Sequence, residues 1–464
     1  MIDDRYEVLI VGAGPAGMAA ACEAASLGVR VGVLDNQASP GGQIYHNVDR
    51  ATDRQLRILG KDFVKGRLLV ERFKQAGGSY FSEASVWFLD EKNRVGVLIG
   101  DKSYFVSADK LVLATGAQER PMPIQGWELP GVMAAGAGQI LLKSAGMVPD
   151  GRLLLAGSGP LILLLAYQYL QAGVKIDALI DTTPQGAMSR SFGKLFGALP
   201  AADYLFKGLK MMLAIRRAGI PVYHHVEGLS AVGEEKLETV RFDSGKAGFK
   251  KLTNYELPAD TLLLHQGVIP NIRLPLAAGC DIDWDAGQEN WTVKTDEWGR
   301  SSDADIYVVG DGSRISGAEA STLQGRLAGM HSALQLGKIN NAELEDLSRP
   351  VLKSYKRHLS IRPFLDSCYK PSPRYLVPDD ATLVCRCEEI TAGEIRQAVR
   401  LGCTGPNQVK SFTRCGMGPC QGGQCGSTVS LIISEQLGKP MDEVGCLRVR
   451  PPLSPITLGQ LSEA

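Results

Sequence analysis

The chain carries no excess of either charge, no Cys-x-x-Cys pair, no uninterrupted apolar run of membrane-spanning length, and only six histidines. Lys+Arg and Asp+Glu each number 50 in 464 residues, giving a net charge of zero. The basic excess that marks a nucleic-acid binder is therefore missing. The N-terminus, Met1 to Glu7, is acidic and enters a strand pattern at once. It lacks the basic and apolar regions of a secretory signal, so a disulfide-stapled exported protein is not expected. The apolar stretches 153–155 and 161–166 are separated by Gly157-Ser158-Gly159-Pro160. That interruption leaves them short of the roughly 20 residues needed to cross a bilayer, and they read as a buried strand and helix. The histidines are dispersed, and no nucleophile–base constellation accompanies them. Only His265, just before the Gly267-to-Asn271 turn, is a candidate for a flavin's surroundings.

What is present is an ordinary globular balance, 44% hydrophobic and 22% charged, over a length that suggests about three domains. Glycine is abundant, 53 residues, as tight turns and close backbone approaches require. At the front, the apolar run 7–11 meets Gly12-Ala13-Gly14-Pro15-Ala16-Gly17, an alanine-rich helical stretch and a second apolar run ending at Asp35. This is a dinucleotide fingerprint in its required context of strand, glycine turn, helix, strand and acid. Gly12 serves the turn, Gly14 lets a pyrophosphate approach, Gly17 lets the helix pack, and Asp35 is placed to accept from a ribose hydroxyl. A second glycine turn, with Gly157 and Gly159, lies between an apolar strand and helix, and a further strand closes at Asp181. Its third glycine position is Ile162. With Ile162 in that position the leading reading is a vestigial or repurposed site, open to ATP or another adenine nucleotide; in the second reading, a working site, Asp181 would repel a 2′-phosphate, so the dinucleotide is NAD rather than NADP.

Three more segments, Pro40-Gly41-Gly42-Gln43, Ala114-Thr115-Gly116 and Val309-Gly310-Asp311-Gly312, end apolar runs in an order that resembles the two-dinucleotide-domain flavoprotein reductases. The resemblance implies an α/β fold of two Rossmann-like domains, the second inserted in the first, with FAD clasped by the first fingerprint and Asp311 on the ribityl chain. Gly42, Gln43, Thr115, Gly116 and Gly310 belong to the same implied site. The redox cysteine pair of the disulfide reductases is absent, so the electrons must take another route.

Seven of the ten cysteines fall between Cys385 and Cys446. Thiolates in such a group suit Zn²⁺ or a [2Fe–2S] cluster. Cys385-x-Cys387, a capped helix and then a glycine-rich loop with Cys415, Cys420 and Cys425 resemble the small, helical [2Fe–2S] module of bacterioferritin-associated ferredoxin. With 32 residues between Cys387 and Cys420, that resemblance implies ligation by Cys385, Cys387, Cys420 and Cys425. Cys415 is then spare, and takes the fourth place from Cys425 only if the spacing argument fails.

The phrases GAGPAGMAAA, PGGQIY, LATGAQERPMPIQGWELPGV, GSGPL, TRCGMGPCQGGQC and VRPPLSPITLGQL are together similar to the α-type subunits of heteromeric flavoprotein amino-acid dehydrogenases, the hydrogen cyanide synthase, octopine and nopaline oxidase and D-hydroxyproline dehydrogenase type. The resemblance spans nearly the whole chain. It implies an electron-transfer subunit beside a catalytic, FAD-containing β-type subunit, with a small third subunit left open and an acceptor such as quinone. Substrate would be an amino acid, imino acid or opine oxidised at CH–NH. By analogy with heterotetrameric sarcosine oxidase, Lys410, Thr413 and Arg414 could contact an FMN at the subunit interface. The implied compartment is cytoplasmic, with attachment to the inner membrane face through the complex left open. The expected divisions are 1–125 and 261–345 for the FAD domain, 126–260 for the inserted domain, 346–380 as linker, 381–440 for the cluster module and 441–464 as an extended arm. The competing reading is a stand-alone NAD(H)-dependent reductase feeding its own cluster; an iron-handling partner of a ferritin is the non-enzymatic one.

Overall fold

A computed structural model describes residues 2–90, 93–245 and 252–462. The first sheet is built around the Arg5–Val11 strand, whose residues 8 to 11 are buried. It is flanked in parallel by Val31–Leu34 on one side and Lys102–Leu113 on the other. Ile306–Val308 returns from far along the chain to pair with Lys102–Leu113, Ile306 opposite Leu111. The sheet is thus completed by residues on both sides of an insertion. Strands buried on both faces read as the continuous apolar runs seen in the sequence.

The helix Pro15–Ser26 opens on Gly14 with Pro at its first turn, where the missing N–H costs nothing. It packs on Ala318–Gln335 at very close range. A Cβ on Gly325 would fall 2.0 Å from the Ala16 carbonyl oxygen, and one on Gly329 2.6 Å from that of Ala20. Small residues on both helices are what permit this approach.

The inserted unit has its own five-stranded sheet, ordered Val222–Tyr223, Ala178–Asp181, Leu153–Gly157, Thr261–His265, Val132–Ala134. Thr261–His265 pairs in parallel with Leu153–Gly157, so this sheet extends past the expected division at 260. An antiparallel sheet of Glu227–Val232, Thr239–Gly245 and Leu252–Pro258 covers it.

The segment 346–380, expected as a linker, is mostly helical. Asn341–Leu359 begins with a reciprocal Asn340–Glu343 cap and buries Leu344 and Val351 beside Leu327 and Met330. Arg362–Cys368 follows and packs Phe364 and Cys368 against Ala198 and Ala201 of the inserted unit. A linker that buries this much apolar surface is held as structure.

Residues 380–444 form a small helical module around Val384, Ile395, Val409, Val429 and Ile432. Its helix Ala392–Arg400 has a Thr391–Glu394 capping box, as the sequence suggests. Beyond it the chain runs back over the first domain. Leu453 is buried and donates its N–H to the Trp87 carbonyl at 2.7 Å, so the arm docks on its own chain. Short helices, Met441–Val444 and Leu458–Ser462, interrupt its extended course. No helix among the described residues is long and apolar enough to cross a membrane.

Candidate functional site

The ends of Arg5–Val11, Lys102–Leu113 and Ile306–Val308 converge, and the glycine turns sit on them. A Cβ on Gly12 would meet the Ala114 carbonyl oxygen at 2.4 Å, and one on Gly17 would meet the Gly12 oxygen at 1.8 Å. Both positions therefore demand glycine for packing. Gly14 differs: its nearest neighbour to a Cβ is the Gly42 Cα at 3.8 Å, so the backbone there is open to a ligand. On the other face, a Cβ on Gly310 would lie 2.9 Å from that of Ala16. Thr115 donates its hydroxyl to the Asn271 carbonyl at 2.8 Å, and the Asn271 N–H reaches the Gly116 oxygen. Gly42 packs on Gly14, and the Gln43 carbonyl accepts from Lys143 at 2.9 Å.

Two carboxylates complete this cradle. Asp35 is buried, and burial pushes its pKa up to about 6. Its Oδ2 has no protein donor, although the Gln37 N–H reaches Oδ1. A buried oxygen left in this state is costly unless a ligand donates to it. A ribose hydroxyl suits that oxygen. Asp311 holds the start of the Ala318–Gln335 helix: its Oδ1 accepts from the Ser316 and Gly317 N–H groups at 2.7 and 2.8 Å. The carboxylate is thereby fixed where the helix N-terminus opens. Open backbone at Gly14, an orphaned acceptor at Asp35 and an anchored Asp311 fit a dinucleotide of the FAD type.

Lys143, absent from the sequence expectations, lies inside this region. It is buried, and among the described residues its ammonium donates to the Gln43 carbonyl and to Gln139 Oε1, while Gln139 Nε2 donates to Gln168. Burial lowers its pKa to about 7. A lone lysine on a helix carries no motif, so nothing in the sequence marks it.

The second turn is formed as the spacing suggests. Gly157 has φ 150° and Gly159 φ 118°. A Cβ on Gly157 would fall 2.0 Å from the His265 carbonyl oxygen. His265 accordingly sits beneath this turn, paired through Nδ1 with Glu119 of the Ala117–Glu119 strand. Ile162, in the third glycine position, is buried as core. Asp181 is already engaged. Its Oδ1 accepts from the Thr183 N–H at 2.9 Å and its Oδ2 meets His224 Nδ1 at 3.0 Å. That hydrogen bond raises the His224 pKa.

In the C-terminal module, the Sγ atoms of Cys385, Cys415 and Cys425 all lie within 4.8 Å of one another, and all three residues are buried. Cys387 is exposed, and its Sγ is 3.7 Å from that of half-buried Cys420. The structure thus gathers five thiols, and Cys415, expected to be spare, is among them. Beyond it the loop passes so closely over Cys387 that a Cβ on Gly418 would fall 2.2 Å from the Cys387 Cβ. Hydrogen bonds from Cys415 and Cys425 hold the Cys385 thiol down, at about 2, while sharing with Cys385 pushes the other two up. One stabilised thiolate among crowded soft donors suits a thiophilic metal or cluster. Cys403 is buried in the same module core. Lys410 is half-exposed nearby. Thr413 accepts from the Cys415 N–H at 3.2 Å, and Arg414, in a left-handed conformation, is bound to Glu388 at 2.9 Å.

The thiol loop is fastened to the first domain. Gln118 donates to the Gly423 carbonyl, and Arg273 reaches the Leu453 carbonyl beside the same loop. Between them is a narrow cleft of about 70 Å³ lined by Gln118, Asn271, Arg273, Trp291, Gly423 and Cys446, among others. Trp127 adds a third tie, donating to the Leu383 carbonyl at 2.7 Å while Arg386 lies over its ring.

Residues 6–337 match the pyridine nucleotide-disulphide oxidoreductase family, and 380–464 match the sarcosine oxidase A3 domain. An opine oxidase subunit from Agrobacterium tumefaciens (strain Ach5) is 41% identical, over 99% of this chain and 92% of its own. Hydrogen cyanide synthase subunit HcnB of Pseudomonas aeruginosa is 31% identical over 97% and 96%. The crystal structure of L-proline dehydrogenase from P. horikoshii superposes with TM-score 0.67 at 21% identity, covering 98% of this chain and 79% of that one. The chain belongs to the pyridine nucleotide-disulphide oxidoreductases and, within them, to the family of these opine oxidase subunits, which are flavin-dependent oxidoreductase components.

Proposed function

We propose that this chain is the electron-transfer subunit of a heteromeric enzyme that oxidises an amino acid, imino acid or opine at a separate, FAD-containing β-type subunit. FAD and a [2Fe–2S] cluster would supply a two-electron and a one-electron carrier within one polypeptide. The residues divide accordingly. Gly14 admits the FAD pyrophosphate on the turn that Gly12 and Gly17 pack, Asp35 takes a ribose hydroxyl, and Asp311 holds the ribityl side. At the cluster, Cys387 and Cys420 form an outer thiol pair and Cys385 and Cys425 an inner one, with Cys415 beside the inner pair. Lys410, Thr413 and Arg414 present a polar face beside this loop for a phosphate such as that of FMN at the β-type interface. The acceptor is a quinone-like oxidant, and the compartment is the cytoplasm.

The observation that carries this reading is the tie between Gln118 and Gly423. It joins the strand directly after Thr115-Gly116, at the FAD cradle, to the loop between Cys420 and Cys425. No catalytic acid–base pair is needed in such a subunit. The test is to assay the chain alone and with its β-type partner, using amino and imino acids with a dye acceptor, alongside flavin, iron and sulfide analysis. Substrate oxidation only in the complex, with stoichiometric iron and sulfide in this chain, is the expected result. Full activity of the chain alone, or a colourless, iron-free chain prepared anaerobically, refutes it.

A further inference from the structure

The inserted unit displays an apolar surface that the proposed electron-transfer role does not use. Between residues 187 and 217, Met188, Phe192, Phe196, Leu199, Phe206 and Leu209 are 49% to 71% exposed. Phe192 and Phe196 meet edge to face with ring centroids 6.4 Å apart. The helix Ala202–Arg217 is apolar on two sides. Met211 and Ile215 are buried inward, whereas Phe206, Leu209 and Leu213 stand outward at helical spacing. A surface helix ordinarily turns a polar face to water, so the outward stripe lacks its covering.

Charge points to what covers it. The segment holds Arg190, Lys194, Lys207, Lys210, Arg216 and Arg217 against one acid, Asp203, in a chain whose net charge is zero. Lys207 pairs with Asp62, and Asp203 with Arg357. Among the described residues, Lys194, Lys210, Arg216 and Arg217 pair with no carboxylate. Lys210 stands 5.7 Å over the Tyr167 ring, at the rim of a cleft of about 390 Å³ with Phe206, Leu209 and Leu213 in its walls. Phenylalanine and leucine interleaved with six cations to one acid is the pattern of a segment lying in the headgroup region, where the long cationic stems reach outward to phosphate.

We infer that residues 187–217 form a docking surface for an anionic phospholipid bilayer. The three phenylalanines and two leucines enter the headgroup–acyl boundary, and the unpaired cations meet lipid phosphates. The contact is peripheral and belongs to this chain itself, so it stands independently of the cluster and of the β-type subunit.

Flotation of the full chain, co-expressed with its partner subunit, tests this on vesicles of phosphatidylcholine alone or mixed with phosphatidylglycerol. Binding to the mixed vesicles is expected. It should fall about tenfold or more for Phe192→Ser/Phe196→Ser/Phe206→Ser, which removes the three apolar anchors that would enter the bilayer. It should fall likewise for Lys194→Glu/Lys210→Glu, and in about 1 M salt, where the screening length is about 3 Å. All the changed side chains are exposed or at a rim, and unchanged melting and flavin content would show that the variants fold. No binding to mixed vesicles, or equal binding by folded variants, overturns the inference. So does loss of the co-purifying subunit from either variant, which would make the surface a protein interface.

Discussion

Gln118 donates its side-chain amide to the Gly423 carbonyl across 305 residues of sequence, and so fixes the thiol loop to the edge of the flavin domain. Gln118 also sits in the Ala117–Glu119 strand, paired with Val268–Pro270, which makes its own position rigid. Gln118→Ala removes one hydrogen bond worth about 1 kcal/mol and leaves both cofactor cradles intact. Hydrogen exchange in residues 416–426 should accelerate by about fivefold, the Boltzmann factor of that energy, while flavin content stays unchanged. Exchange indistinguishable from the parent would show that the loop is held by its thiols and Trp127 instead.

Asp35 gives a pH prediction with a definite sign. Burial raises its pKa to about 6, above the ordinary value near 4, so the folded apoprotein binds this proton more tightly than the unfolded chain. The stability it confers is full below about pH 4 and is lost as pH rises through 6, on the order of 3 kcal/mol. A ribose hydroxyl donating to the charged carboxylate reverses the balance. Titration of apoprotein with FAD should therefore show tighter binding above pH 6 than below it. In Asp35→Asn the dependence should flatten and the affinity at neutral pH should drop. A dependence that survives in the variant would assign it to another group.

Much of this cradle was legible in the chain itself because backbone demands leave residue signatures. Gly12 and Gly17 are required by contacts a Cβ could not survive, and such requirements are local enough to read from spacing. The Rossmann order likewise follows from alternating apolar runs and glycine turns. Less legible was whatever depends on distant packing. The segment 346–380 holds five prolines, which break a helical pattern along the chain, yet Pro363 and Pro373 sit in the first turns of helices and Pro350 inside one; burial of Leu344, Val351 and Phe364 holds those helices in place. Cys415 reads as spare when ligands are counted along the chain, yet the fold brings its Sγ within 4.8 Å of those of Cys385 and Cys425. His265 adjoins the flavin-domain turn in sequence but is on the inserted sheet in space, under Gly157.

Lys143 is a second titrating element of the cradle. Enclosure lowers its pKa from 10.5 to about 7, so the folded chain disfavours its charged form. Stability from this group is present above about pH 10.4 and is lost as pH falls through 7, up to about 5 kcal/mol. Lys143→Met removes the cost of burying the ammonium but frees the Gln43 carbonyl and Gln139. The variant should melt higher than the parent near pH 7, with a shallower rise in melting temperature between pH 7 and 10. An unchanged pH profile would mean that the ammonium finds an anion, such as bound cofactor phosphate, in the protein as purified.

Single serine substitutions separate the five thiols. With Cys387 and Cys420 as outer pair and Cys385 and Cys425 as inner pair, each of these four changes should remove most of the iron and sulfide. Cys415→Ser should retain both and alter the visible and paramagnetic spectra, because a hydroxyl at that position still donates to Cys385. Retention by Cys425→Ser with loss by Cys415→Ser would exchange the roles of these two residues.

The last prediction concerns the second nucleotide turn, where geometry and charge pull in opposite directions. Gly159 keeps the backbone open above the packed Gly157, but Asp181 is committed to the Thr183 N–H and to His224. An incoming ribose must compete with His224 for the carboxylate. Because the His224 pKa is raised by this hydrogen bond, the competition is strongest at low pH, where the imidazolium is held, and weakens as pH rises through that pKa. Millimolar NADH mixed anaerobically with the flavin-loaded chain should leave the visible flavin band nearly unchanged near pH 6. His224→Ala should bind NAD several-fold more tightly by calorimetry, and its affinity should lose the pH dependence. Fast bleaching of the parent by NADH would instead make this turn a working hydride-donor site and restore the stand-alone reductase reading. Tight binding without bleaching, in parent and variant alike, would place an adenine nucleotide there in a structural role.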